Sequence, residues 1–457
     1  MSAVRILACC TLLAGLASCD NERSDEDRPR AAPEKRKAEK KEEKKTAVGK
    51  EGDKQAPAEK KPEAAAPVEK KPDAPATPAA AAPVKRRGFA AAEVKRPAHF
   101  PHRIWAACDF ETRLPDYGWF GPTDTKNIPV YPGNVTALRA NNKPYGKTSA
   151  RMTGINPVPG PCMGKVNYMY ARYFLKGGTE ATFQHFSLSS SDNNNIRVSG
   201  LTEGAWSEVT LNFTRDARRN NGSPDAFKDG ERMDDLKVFV GKAEDEKNYD
   251  LILDDIIFFA EDPALPPESE PFPNRVIYVA GFDTGNNPKP KDKDTEPEKG
   301  PYKYFPGTLE IVSKDLPAGS YWSAAKAVPK KDGKGKLISL MIDAPKPVGE
   351  HTKLRFRYHL TGTSKLQVQI FDATDQDNRH VRLKDLKQNE WTFVYVDFTQ
   401  DGKRNSGKNT PFAAGHLVDD IFFFVDPEGG AEVNLLIDEV VLFDAGKPLD
   451  DGAEAGK

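Results

Sequence analysis

The chain lacks a dominant charge: 67 basic and 68 acidic side chains leave a net charge of −1. With the two signs interleaved there is no global field to draw in a polyanion, and no nucleic-acid partner is expected. Cysteine is scarce where it would build a scaffold. Of five, Cys9, Cys10 and Cys19 lie at the extreme N terminus, and only Cys108 and Cys162 fall in sequence able to fold. That excludes a disulfide framework and a zinc-type cysteine set. The seven histidines show no metal-ligand spacing, no Gly-rich phosphate loop follows a strand, and no nucleophile elbow occurs. No catalytic residue is assigned, although carboxylates are abundant enough to leave a glycosidase pair open. A sustained helical period is missing as well.

What the chain does have is a long internal repeat. Residues 172–240 and 357–425 align without a gap, with about a third of positions identical. Trp206-Ser-Glu-Val-Thr-Leu-Asn-Phe213 returns as Trp391-Thr-Phe-Val-Tyr-Val-Asp-Phe398. The repeat opens with Phe100-Pro-His-Arg-Ile104 and Phe272-Pro-Asn-Arg-Val276, and closes with Leu251–Phe259 and Leu435–Phe443. A period this long means two whole domains, each large enough for its own core.

Ahead of the repeats, a short basic start precedes the apolar run Ile6–Leu16 of about eleven residues. That is too short to span a bilayer and suits a signal-peptide core. The run ends in Leu16-Ala17-Ser18-Cys19, which resembles the bacterial lipobox. The resemblance implies acylation of Cys19, with palmitate-type chains anchoring the protein to a membrane of the bacterial cell envelope. Asp20 resembles an inner-membrane retention signal, and the choice between inner and outer membrane stays open. From there to about Val94 the chain is Lys, Glu, Ala and Pro, too polar to bury a core, and is expected to be disordered. The expected layout is a signal peptide (1–18), a stalk (19–96), a first β-sandwich (97–262), a Pro-rich semi-rigid linker (263–271), a second β-sandwich (272–446) and a disordered tail (447–457).

Both repeats read as all-β. Val209, Leu211 and Phe213 alternate with Glu208, Thr210 and Asn212, the pattern of a half-buried strand, and Val394, Val396 and Phe398 do likewise. Leu236–Val240 and Ile421–Val425 are denser apolar runs, expected to be covered on both sides. Adjacent residues of a regular strand face opposite sides, so Asp254 and Asp255 are expected to put at least one carboxylate on an apolar face.

Asp109-Phe110-Glu111 or Phe282-Asp283-Thr284 on an opening strand, then a tryptophan-led strand, then Asp254-Asp255 or Asp438-Glu439 on the closing strand form an ordered set. This order resembles the galactose-binding-like jelly rolls, which include many carbohydrate-binding modules. The resemblance implies two tandem jelly-roll sandwiches and a structural calcium held by Glu111 with Asp255 and by Asp283 with Glu439. The alternative is that these carboxylates cap loops or pair with Arg103 and Arg275. Cys108 and Cys162 are candidates for one disulfide or are two separate buried thiols.

Aromatics in polar, turn-rich surroundings are the candidate sugar platforms: Tyr117, Trp119 and Phe120 in the first domain, Tyr321 and Trp322 in the second. Trp206 and Trp391 suit packing. Asp216, Arg219 and Asn220, with their copies Asp401, Arg404 and Asn405, form either a polar cradle for hydroxyls or a set of turn-stabilising groups. The expected function is non-catalytic binding of polysaccharide or glycoconjugate, with avidity if both domains engage one polymer. The alternatives are a jelly-roll polysaccharide lyase or glycosidase, and a structural envelope protein that binds other proteins.

Overall fold

A computed structural model describes residues 90–91, 95–111, 118–119, 138–139, 151–157, 160–220, 223, 227–241, 249–283, 305, 307–331, 333–407, 412–427 and 432–445. Cys19, the stalk as far as residue 89 and the tail lie outside the described residues; the end of the expected stalk is ordered, with Ala90–Ala91 paired to Val198 and Ser199 and Arg96 bonded to Tyr170 and Glu208. Among those described, no helix is long and apolar enough to cross a membrane.

Eight longer strands build the first domain: β1 (Arg103–Cys108), β2 (Arg151–Asn156), β3 (Val166–Lys176), β4 (Glu180–Ser187), β5 (Asp192–Ser199), β6 (Trp206–Asn212), β7 (Met233–Val240) and β8 (Asp250–Glu261). Their pairing gives two antiparallel sheets, β1-β8-β3-β6 and β5-β4-β7-β2. The second domain repeats this with β9 (Arg275–Ala280), β10 (Lys336–Pro347), β11 (Thr352–Thr361), β12 (Leu366–Asp372), β13 (Asp377–Leu383), β14 (Trp391–Asp397), β15 (Leu417–Val425) and β16 (Asn434–Asp444). Its sheets are β9-β16-β11-β14 and β13-β12-β15-β10. In both domains the order is 1-8-3-6 facing 5-4-7-2, which is the jelly roll. The expected all-β fold is what the chain adopts. After β6, the first domain inserts a single helical turn, Phe213–Asp216, begun by Asn212, whose Oδ1 accepts from the Arg215 backbone N–H at 2.8 Å.

Each sandwich closes over its own core. Trp105, Phe183, Leu211, Val238 and Phe258 meet in the first, and Phe356, Val368, Val396, Phe423 and Leu442 in the second. A third apolar cluster joins the domains. Phe100, Ile104, Tyr170, Ile257 and Phe259 pack against Phe272, Val276, Val441 and Phe443. The two 1-8-3-6 sheets therefore lie back to back. Each side chain fully buried in that seam contributes about 1.5–3 kcal/mol.

The seam explains which strands are apolar throughout. β8 and β16 are buried along nearly their whole length, because one face enters its own sandwich and the other enters the seam. The dense runs Leu236–Val240 and Ile421–Val425 behave differently from expectation. Leu236, Val238, Val240, Ile421, Phe423 and Val425 are buried, whereas Lys237, Phe239, Phe422 and Phe424 are only partly so. These strands are covered on one side, and the apolar residues of their other side point outward.

Strict alternation also fails at the paired acids of the closing strands. Asp255 and Glu439 take left-handed backbone conformations, with φ of 43° and 50°, where the ladders shift register. These are β-bulges. Each bulge returns Ile256 and Phe258, or Val440 and Leu442, to the core face already used by Leu251 and Leu253, or Leu435 and Ile437. The first acid serves the bulge: Asp254 Oδ1 accepts from the Asp255 N–H at 2.9 Å, and Asp438 Oδ1 from the Glu439 N–H at 2.8 Å. The second acid is left to meet an arginine.

Candidate functional site

Outward-facing residues of the 5-4-7-2 sheets fall into cross-strand rows. In the second domain one row reads Arg382, Gln367, Phe424, Leu337; the next reads His380, Gln369, Phe422, Ser339; the third reads Asn378, Phe371, Asp420, Met341. In the first domain the corresponding rows begin Arg197, Thr182, Phe239, Met152 and Asn195, Gln184, Lys237, Gly154, with Asn193 opposite Phe186. Alternation with the core residues Phe183, Val238, Val368 and Phe423 turns all of these side chains away from the sandwich interior.

Five of these positions hold the same residue in both domains: Gln184 and Gln369, Phe186 and Phe371, Asn193 and Asn378, Arg197 and Arg382, Phe239 and Phe424; a sixth identity pairs Asp420 with Asp235, which lies where the β7 ladder shifts register. In the second domain Phe422 and Phe424 lie side by side, 5.8 Å between centroids and 13° between planes. Met341 is 50% exposed beyond them. Arg382 donates from Nε to Gln367 Oε1 at 3.1 Å. In the first domain the middle row is polar: Gln184 Nε2 donates to Asn195 Oδ1 at 2.8 Å, and Lys237 Nζ lies 2.6 Å from Asp235. Each face is a shallow platform of flat rings flanked by amides and a guanidinium.

The polar loop residues border these faces. Asn195 Nδ2 donates to Asn220 Oδ1 at 2.9 Å, and at the equivalent place His380 Nδ1 lies 2.8 Å from Asn405 Oδ1. Burial is the main force lowering the His380 pKa, partly offset by that Asn405 contact. Arg219 reaches Ser190 and Glu231, while Arg404 reaches Asp375 and Asp377. Asp216 pairs with its neighbour Arg215, and the Asp401 N–H closes a turn onto the Asp397 carbonyl. Asn220 and Asn405 thus orient residues of the face, and the other four brace turns.

Of the aromatics singled out from sequence, Tyr321 and Trp322 stand elsewhere. Tyr117 and Phe120 lie outside the described residues; the Trp119 backbone pairs with Ile155 along the open edge of β2. Tyr321 and Trp322 sit at the seam, their rings 5.7 Å apart. Trp322 lies 4.5 Å from the Arg103 guanidinium and against Gly230, both of the first domain; Tyr321 lies 4.4 Å from that of Arg357. Trp206 packs on Phe174 and Ile252, and Trp391 donates to Ser320 Oγ at 2.8 Å. The face residues escaped the sequence reading because they lie in its best-aligned stretch, where identity was taken to serve folding. The signal was present: the identities at 184, 186, 193, 197, 235 and 239 all fall on the side opposite the core.

Three of the four expected calcium carboxylates, Asp255, Asp283 and Glu439, meet arginine. Asp255 meets Arg172 within the first domain, and Arg172 continues to Asn274 Oδ1 at 2.8 Å. Asp283 and Glu439 do come together, on Arg103 of the first domain, whose Nε lies 2.8 Å from Glu439. Glu111 is half-buried, with its backbone N–H on Asp109 Oδ1 at 3.3 Å. Asp255, Asp283 and Glu439 do not fit a divalent cation, because a guanidinium already supplies the positive charge and would repel another. Burial pushes the carboxyls of Asp283 and Glu439 up, with Arg103 opposing it. Cys108 and Cys162 are two separate buried thiols, not a disulfide. Cys108 faces the first core, and Cys162 lies beside β7, bridged to Arg232.

No family model and no curated protein matches the chain. Among solved structures it is similar to the tandem of two family 22 carbohydrate-binding modules at the N terminus of Paenibacillus barcinonensis Xyn10C. The identity is 10% and the TM-score 0.25, over 76% of this chain and 100% of that one. It is also similar to the family 11 module of Clostridium thermocellum Lic26A-Cel5E, at 12% identity and TM-score 0.25, over 37% and 98%. A third is TmCBM61 in complex with β-1,4-galactotriose, at 14% and 0.20, over 30% and 85%. At such scores the fold rests on the strand order itself.

Proposed function

We propose that the protein is a lipid-anchored component of the bacterial cell envelope whose two jelly-roll domains bind polysaccharide or glycoconjugate without catalysis, each on its outer 5-4-7-2 face. The observation that carries the reading is the retention of six outward-facing residues in both copies. Gln369 and Asp420 are buried, but of the other ten side chains folding asks only that they tolerate a strand and partial contact with water. Stacking on the apolar side of a pyranose asks for flat rings, and fixing its hydroxyls asks for amides and a guanidinium nearby. Phe424 with Gln367 and Arg382, and Phe239 with Arg197, meet both demands. Cys19 supplies the anchor, and the Lys/Glu/Ala/Pro-rich stretch that follows it supplies the tether.

The test is affinity electrophoresis of the full chain, carrying Cys19→Ala to keep it unacylated, through gels containing xylan, mixed-linkage β-1,3-1,4-glucan or β-1,4-galactan. At least one polymer is expected to retard the protein, with no reducing ends released. Mobility equal to the polymer-free gel in all three ends the reading, as does retardation untouched by Phe239→Ala combined with Phe424→Ala. Reducing ends that accumulate with time favour a hydrolase.

A further inference from the structure

The three apolar clusters fix the order of the four sheets. One lies between the 5-4-7-2 and 1-8-3-6 sheets of the first domain, the seam cluster lies between the two 1-8-3-6 sheets, and the last lies inside the second domain. The candidate faces are therefore the two outermost surfaces of the stack and look in opposite directions. Three sheet-to-sheet spacings of about 10 Å put the outer sheets roughly 30 Å apart.

The seam between them is tied at many points. Arg103 of the first domain is buried against Asp283 and Glu439 of the second. Arg355 of the second domain donates to the His102 carbonyl at 2.9 Å and pairs with Glu268 at 3.0 Å. Lys353 pairs with Glu270 at 2.6 Å, so the segment between the domains is itself held against β11. Turning one face toward the other would require breaking buried charge pairs and exposing the apolar cluster.

A polymer lying on one face cannot continue onto the other without doubling back around the whole stack. We infer that the protein is a bridge, holding two separate polysaccharide segments on opposite faces of one rigid unit. This replaces a double grip on a single strand. It rests on the glycan-binding reading and deepens it, and the six shared residues imply that both faces take the same chemical class of polymer.

The experiment is a two-layer capture assay with the full chain carrying Cys19→Ala. Xylan, mixed-linkage β-1,3-1,4-glucan or β-1,4-galactan is immobilised, protein is added and unbound protein is washed away. Each polymer is then offered in fluorescent form. The bridge predicts protein-dependent capture of fluorescence in at least one of the nine pairings, well above the protein-free surface. Phe422→Ala with Phe424→Ala, or Gln184→Ala with Phe239→Ala, should each cut capture at least tenfold while protein remains detectable on the surface through the other face. Circular dichroism and a melting curve establish that both variants are folded, and Gln369→Ala is a milder second variant of the second face. Retention of protein without capture in any pairing overturns the bridge but spares glycan binding. Capture that survives a one-face variant also overturns it, since self-association would then be joining the polymers. No retention on any polymer overturns the glycan reading beneath it.

Discussion

Where the first domain sets Asn195 and Lys237 in the middle row of its outer face, the second sets His380 and Phe422; where the first core holds His185, the second holds Ile370. Arg103 crosses the seam to a pair of buried carboxylates, whereas its copy Arg275 donates to the Pro347 carbonyl of its own domain. The strand order survives all of these changes. Two sequences about a third identical along their aligned stretch can thus share bulges, seam and face corners while differing in what titrates and in how strongly a face can stack.

The largest expected effect tests the asymmetry at the seam. Arg103→Ala leaves Asp283 and Glu439 buried without their shared partner and should cost about 3–5 kcal/mol. Arg275→Ala removes one hydrogen bond to a carbonyl and should cost about 1–2 kcal/mol. Urea unfolding of the two variants measures the difference directly, and equal losses would mean that the seam is not held through Arg103.

Acid should separate the domains next. His185 is enclosed by Phe213, Phe227 and Phe258, and burial pushes its pKa down to about 3 from an ordinary 6.5. The unfolded chain therefore binds the proton first. The stability of neutral His185 is present in full above pH 6.5 and is lost as pH falls from 6.5 toward 3, by about 1.4 kcal/mol per unit. His185→Ile, which copies the second domain, should flatten that slope in melting curves recorded across this range. Asp438 and Glu439, pushed up by burial, act in the opposite sense: their contribution is greatest at low pH and is lost as pH rises through their raised values.

A smaller effect compares the faces. Phe424→Ala breaks a stacked pair and should weaken binding to the retarding polymer about tenfold, or about 1.4 kcal/mol. Phe239→Ala, beside Lys237, should weaken it less, and isothermal titration of each variant gives the ratio. The smallest effect belongs to the loops. Asn220→Ala and Asn405→Ala remove exposed contacts and should shift unfolding free energy by no more than about 0.5 kcal/mol.

The fold was legible because alternation along Trp206–Asn212 and Trp391–Asp397 reports strands directly, and the repeat reports domains. The bulges were not, since a left-handed residue at Asp255 or Glu439 leaves no trace in an apolar pattern. Nor was the seam. It turns β8 and β16 into doubly buried strands, whereas the similar run at Phe422-Phe423-Phe424 alternates between core and open surface. An apolar residue reads alike whether it faces a core, a partner domain or a ligand. Among the candidate residues, Asn220 and Asn405 stand out in sequence because their loops repeat, and both touch the outer sheet, at Asn195 and His380. The aromatic candidates come from the differing loops, whereas the shared sheet surface carries no sequence signal of that kind.

The seam also bears on where such a chain comes from. Two copies of one fold joined through the same sheet of each have the form of a homodimer fused into a single polypeptide. A lone second repeat would expose Val276, Tyr395, Val441 and Phe443 to water, and its simplest remedy is another copy of itself. Fusion removes the dependence of that assembly on concentration.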